Sequence, residues 1–285
     1  MQGEIDQLLL LSSAANAMAL AVAGSESLGL PSVQAKRLRY TEDLIFADIS
    51  KQSDGNVKEQ IYFNRLSDWL EDLSQRKVSA AWLAWQSQKL TERKANQYTQ
   101  PEHMNVAFAG ATKSWFLITT GPGFTEHWQA DWTPQEDRIK QQNIWQVRYK
   151  CIQKIDQETP RPVIDLTQET ARLGKTLQKI SKLASRLGYD NWPAVFDKAI
   201  DALEGKTGTA LSPTLRPPYY AAYPKEAHRL LAAVYSGWVF GGMGSWNDVV
   251  FSIPEDQADY DRLTPELYQS LCRAIVAVSC CFQKR

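Results

Sequence analysis

Histidine is scarce in this 285-residue sequence, which has only His103, His127 and His228. None stands in an HxH, HExxH or Cys/His spacing, so no metal site is expected. The four cysteines, Cys151, Cys272, Cys280 and Cys281, form no CxxC pair. Adjacent Cys280 and Cys281 are poorly placed to close on each other, which fits buried free thiols in a reducing cytoplasm. An excess of charge is also missing, since 32 Lys and Arg balance 32 Asp and Glu. Without net charge there is no global field to draw the chain to nucleic acid or an anionic membrane, and neither is expected as a partner.

Long hydrophobic runs are absent too. The apolar stretch at Leu8 to Leu11 is soon interrupted by Ser12, Ser13 and Asn16, short of a membrane span. Ala21-Val22-Ala23 imitates a signal-peptide cleavage site, but Glu4 and Asp6 come first and no Lys or Arg precedes Lys36. A secretory signal opens with a cationic region, so a buried helix in a cytoplasmic protein is expected instead. Signatures of nucleotide and nucleophile chemistry are likewise missing. There is no GxSxG elbow. The glycine-rich stretch Phe240 to Asp248, FGGMGSWND, lacks the Lys-Ser/Thr ending of a phosphate loop and the third glycine of a dinucleotide fingerprint, and it follows a helical pattern rather than a strand. No cofactor is expected.

What the sequence does have is an ordinary globular composition, 44% hydrophobic and 22% charged, with enough length for a sizeable core. Its surplus is aromatic, with 10 Trp and 11 Tyr. Such side chains bury large area while keeping a polar tip, and suit a core, a surface or a pocket.

Hydrophobic spacing predicts a helix from Glu4 to about Val22, a strand over 38–49, and a helix over 57–76 carried by Tyr62, Leu66, Trp69, Leu70 and Leu73. Five strands are predicted next, at Val78–Gln86, Met104–Gly110, Ser114–Thr120, Glu126–Trp132 and Ile144–Ile155. Their short connections favour antiparallel pairing. In the last of them Trp145, Val147, Tyr149 and Cys151 alternate with Gln146, Arg148 and Lys150, giving one dry and one wet face. Asp156 to Pro162 breaks the pattern, and helices follow at 166–187, at 195–203, from Lys225 to a stop at Gly241, and from Leu263 onward, with an acidic loop at Glu255–Asp261. The expected fold is α+β: a mainly antiparallel sheet with flanking helices in an N-terminal half (1–157) and a helical C-terminal half (158–285), packed as one unit.

Sites are harder to read. Trp246, Asn247 and Asp248 place an indole, an amide and a carboxylate just after three glycines. The rigid Pro/Tyr segment with Tyr219, Tyr220 and Tyr223 could wall a groove beside them. Trp246 is then either a core anchor or the floor of that groove. His127 with Asp131 on one strand face, together with His228 and Asp248, supplies raw material for acid–base catalysis without a motif. Arg172, Lys175, Lys179, Lys182 and Arg186 share one helix face, either as a stripe for an acidic partner or phosphate backbone or as a face paired with Asp197, Asp201 or the Glu255–Asp261 loop. With no catalytic signature and many aromatics, the leading expectation is a non-catalytic cytoplasmic protein that binds a protein partner through its aromatic, Gly-rich C-terminal surface. A hydrolase with a dispersed His/Asp site, and nucleic-acid or acidic-partner binding through the basic stripe, are the alternatives.

Overall fold

The computed structural model describes residues 3–23, 41–51, 57–86, 101–106, 110, 113–135, 144–186, 188 and 191–283. It is an α+β fold, with one mixed six-stranded sheet and helices concentrated in the C-terminal half. Helix α1 (Gly3–Ala23) leads into strands β1 (Thr41–Lys51) and β2 (Val57–Phe63), helix α2 (Leu66–Gln75), strand β3 (Ala80–Trp85) and the short helix α3 (Glu102–Asn105). Strands β4 (Trp115–Gly121), β5 (Phe124–Pro134) and β6 (Trp145–Ile155) follow. The chain then forms α4 (Leu166–Ser185), α5 (Asn191–Glu204), α6 (Lys225–Gly237) and α7 (Pro254–Ser279).

Strand order is β2-β1-β6-β5-β4-β3. Every pair is antiparallel except β1 with β6, which run parallel. β6 alternates as its sequence implies, with Val147, Tyr149 and Cys151 buried between half-exposed Arg148 and Lys150. On the dry face Phe46 stacks on Trp69 at 4.4 Å and on Tyr149 at 5.5 Å, with Trp128 edge-on to both Phe46 and Trp69. Much of the aromatic surplus is therefore core, with Trp69, Trp115, Trp128 and Trp246 all fully buried.

α1 is buried through most of its length, and Gln7, Ser13 and Asn16 find hydrogen-bond partners there, while Ser12 Oγ and Glu4 Oε2 have none among the described residues. Asn16 accepts from Ala81 N–H at 2.9 Å and donates to Ala81 C=O at 2.7 Å. Leu83 N–H, on the same strand, donates to Ser279 Oγ at 2.9 Å. Side chains from α1 and α7 thus cover the outer edge of β3, groups that would otherwise be unpaired edge donors and acceptors. One hydrophobic core runs from α1 through the sheet into α4–α7.

The structure corrects four local expectations. Residues 57–76 are not one helix: 57–63 form strand β2 and the helix begins at Leu66. Pairing with β1 outweighs local periodicity there, since it satisfies the backbone groups along the inner side of β2, the edge strand of the sheet. The strand expected at Met104–Gly110 does not begin there, because Glu102–Asn105 are helical, and 107–109 lie outside the described residues. α6 ends at Gly237 rather than at Gly241. Glu255–Asp261 is the opening of α7 rather than a loop, with Pro254 at the helix start and Glu255 and Asp256 in the first turn; proline and acidic residues both favour a helix N-terminus. The expected beginning of the first strand at 38–40 lies outside the described residues.

Candidate functional site

Residues 241–253 join α6 to α7, and their backbone is fixed at several points. Gly244 has φ +80°, the left-handed region that glycine enters without strain. Trp246 N–H donates to Val239 C=O at 3.1 Å, and Ser245 N–H to Gly242 C=O at 3.1 Å. Asp248 and Ser245 form a reciprocal capping box around the 3-10 turn Trp246–Asp248. Two aromatic anchors hold this loop from within. Trp246 is 0% exposed, packs against Trp192, Phe196 and Tyr260, and donates its indole N–H to Thr264 Oγ1 at 3.0 Å. Phe251 is buried beside Tyr260.

Trp246 is therefore the core anchor of the two readings, and no ring contact joins it to Tyr219, Tyr220 or Tyr223 among the described residues. Asn247 donates to the His103 carbonyl at 2.8 Å, tying the loop to α3. Between these anchors the chain turns apolar side chains outward. Met243 is 102% exposed, Val250 79% and Ile253 54%. Exposed Glu255 and Asp261 stand just beyond, at the start of α7.

The tyrosine segment lies elsewhere, against α6. Tyr223 is buried edge-on to Phe282, and burial pushes its phenol well above the ordinary range. Tyr220 stacks on His228 at 3.8 Å, and His228 Nε2 donates to the Tyr220 carbonyl at 2.7 Å. Tyr219 takes a left-handed φ of +52°. Tyr220 and His228 line an open cleft of about 510 Å³ between the end of α5 and the start of α6.

The acid–base candidates do not converge. His127 and Asp131 share the wet face of β5, but four residues of strand separate them by about 13 Å. Lys150 binds Asp131 at 2.6 Å, which holds that carboxyl below its usual range. Burial lowers the His127 imidazole. Asp248 is occupied by the N–H groups of Gly244 and Ser245. No hydrogen bond joins any two of His127, Asp131, His228 and Asp248 among the described residues.

The basic face of α4 is largely answered by neighbours. Arg172 pairs with Glu169, Lys179 with Glu266 at 3.0 Å, and Arg186 with Asp256 and Asp259. The residues expected as an acidic loop thus do meet this face, from the first turns of a helix. Lys175 and Lys182 are exposed, with no ion pair among the described residues.

Sequence reasoning passed over a buried acidic group. Glu4 is 4% exposed; burial is the main cause that raises it from 4.5 to about 7, a Gly110 backbone N–H opposes the shift, and nearby Glu102 adds to it. Glu102, itself raised by burial, accepts from Trp85 Nε1 at 3.2 Å and Tyr268 Oη at 3.0 Å. Neighbouring His103, ringed by Phe240 and Tyr268, is lowered by burial to about 4. The opening Glu4-Ile5-Asp6 gave no sign of this, because only the fold sets it near Gly110 and Glu102. Among the described residues no group of three or more His, Cys, Asp or Glu side chains is placed to hold a metal ion, and no described helix is long and apolar enough to cross a membrane. Comparison with family models, characterised proteins and solved structures finds no match to the chain.

Proposed function

We propose that this is a non-catalytic binding protein that docks a protein partner through the loop 241–253. The observation behind this reading is the loop's two-sided construction. Of the eight large apolar side chains exposed among the described residues, three (Met243, Val250 and Ile253) fall within this one segment. Rigid loops on a packed scaffold suit recognition, because little conformational entropy is lost when they bind. Apolar side chains form the centre of such contacts and charged groups their rim. With Glu255 and Asp261 beside the loop, the fitting partner has an apolar socket bordered by Lys or Arg. The surface is aliphatic rather than aromatic, since Trp246 and Phe251 are its inward anchors.

A dispersed hydrolase site has less support, because its four candidate residues stand apart. Binding of an acidic partner along α4 is weakened by the three residues of the stripe already paired internally.

The test is affinity capture from lysate of the source cells, with wild type and the triple variant Met243→Asp, Val250→Asp, Ile253→Asp side by side. All three positions are exposed, so the variant should keep the wild-type melting temperature. A stoichiometric partner held by wild type and lost from the folded variant supports the reading. It is overturned if every captured protein is retained by the variant. Turnover of an ester, phosphate or glycoside panel by wild type, lost on His127→Ala or His228→Ala, would move the assignment to the hydrolase class.

A further inference from the structure

We infer that the cleft between α5 and α6 is a binding site for a small organic phosphate. Its walls carry Lys206, Arg216, Lys225 and Arg229, and contain no Asp or Glu. In a chain with equal numbers of acidic and basic residues, a lining with cations and no carboxylate gives the cavity a local positive field, carried chiefly by Lys225 and Arg229. Low-dielectric walls focus such a field on a small anion.

The cations are not equivalent. Lys206 is paired with Asp201 and Glu204, outside the cleft lining, so its charge is largely answered. Lys225 and Arg229 make no ion pair among the described residues. Arg216 donates Nε–H to the Leu211 carbonyl at 3.0 Å and lies 5.2 Å from the centre of the Tyr220 ring. The same ring stacks on His228. Packing over this ring sets the orientation of Arg216 in the wall of the cleft.

Arg229 is also placed rather than loose. Gly205, just past the end of α5, has φ +73°, and a Cβ built on it would sit 2.5 Å from Arg229 Nε and 2.8 Å from Cζ. Only glycine satisfies both the left-handed backbone and the guanidinium lying against it. α6 begins at the cleft and has no side-chain cap, because its N-cap is Pro224. Its free first-turn N–H groups add to the positive potential.

The rest of the lining specifies more than a bare anion. Ala202, Ala210, Ala221 and Ala232 line the cleft with methyl groups. Small side chains at four positions leave the space open, and about 510 Å³ is within the range that encloses a small organic ligand. The lining therefore offers cations to a phosphate and alanine methyl groups to an apolar or ring-bearing portion.

Isothermal titration of the full chain with phenyl phosphate, inorganic phosphate and benzoate tests this. Phenyl phosphate should bind at one site, inorganic phosphate more weakly, and benzoate most weakly. Lys225→Gln with Arg229→Gln, both exposed and outside the core, should weaken phenyl phosphate by about tenfold or more. Ala210→Leu, which takes up space in the lining, should weaken phenyl phosphate more than the smaller inorganic phosphate. Absence of saturable heat at millimolar phenyl phosphate, equal affinity for benzoate, or an unchanged constant in the Lys225/Arg229 double variant would each overturn the inference. Partner capture through residues 241–253 should survive the double variant, which separates this site from the docking loop.

Discussion

Asp248 accepts the backbone N–H of Gly244 at 2.6 Å across the turn that presents Met243. The same carboxylate takes Ser245 N–H at 3.3 Å, and Ser245 Oγ in turn accepts from Asn247 N–H at 3.3 Å. These bonds are what make the loop a fixed shape. Asp248→Ala should cost about 1 kcal/mol, the usual loss for a cap. Melting should fall by roughly 2–4 °C. Amide exchange at Gly244 and Ser245 should accelerate and partner affinity drop. Unchanged exchange at both amides would show that the cap does not hold the turn.

Trp246→Ala addresses the anchor instead of the surface. Removing a fully buried indole packed on Trp192, Phe196 and Tyr260 should cost about 3–5 kcal/mol. Trp246→Phe keeps most of the packing and loses the bond to Thr264, so it should cost distinctly less. Denaturant unfolding of the two variants gives the comparison; equal, small losses would mean that Trp246 is not an anchor.

Glu4 gives the fold a pH dependence whose sign follows from burial. Its carboxyl rises from 4.5 to about 7 on folding, so the folded state holds this proton more tightly than the unfolded chain. The site is neutral to stability below about pH 4.5, and its penalty grows as pH rises toward 7 and then levels off. The full penalty is about 3 kcal/mol, from the size of the shift. Glu4→Gln should therefore flatten the fall in stability between pH 5 and 8. Parallel profiles for wild type and variant would refute the assignment.

Arg76 grips Glu126 with Nη1 and Nη2, at 2.9 and 3.0 Å, and binds Asp72 through Nε at 2.7 Å. Glu126 is 6% exposed, so Arg76→Ala strands a buried carboxylate and should cost about 3 kcal/mol at neutral pH. Arg76→Met with Glu126→Leu should recover most of the loss. A double variant no more stable than Arg76→Ala alone would indicate lost packing rather than a stranded charge.

The sequence by itself determined much of the framework. Alternation in β6 and the apolar stripes of α4, α5 and α6 are local and repetitive, and one packed face suffices to enforce them. They were legible because each residue's role depended on its own element. The limits of β2 and α2 were not, since a period of three and four held across 57–76 until strand pairing with β1 claimed 57–63. The partner strand β1 is the preceding element, but the spacing within 57–76 carries no record of it, and hydrogen bonding to it outweighs local preference. The start of α7 was misread for a related reason: Glu255, Asp256, Asp259 and Asp261 suggested a solvated loop, yet acidic residues after Pro254 stabilise a helix N-terminus and reach Arg186.

Among the candidate sites the division is sharper. Composition and glycine spacing pointed to Phe240–Asp248, but only the tertiary structure decided which side chains face inward. It placed Trp246 in the core and used Asp248 and Asn247 to brace the loop, leaving Met243, Val250 and Ile253 outside. It also set Lys225 and Arg229, spaced i,i+4 at the start of one helix, opposite Gly205 at the end of another. Convergence of charges from separate elements leaves no local periodicity, so a cleft of this kind is written in the packing and not in the order of residues.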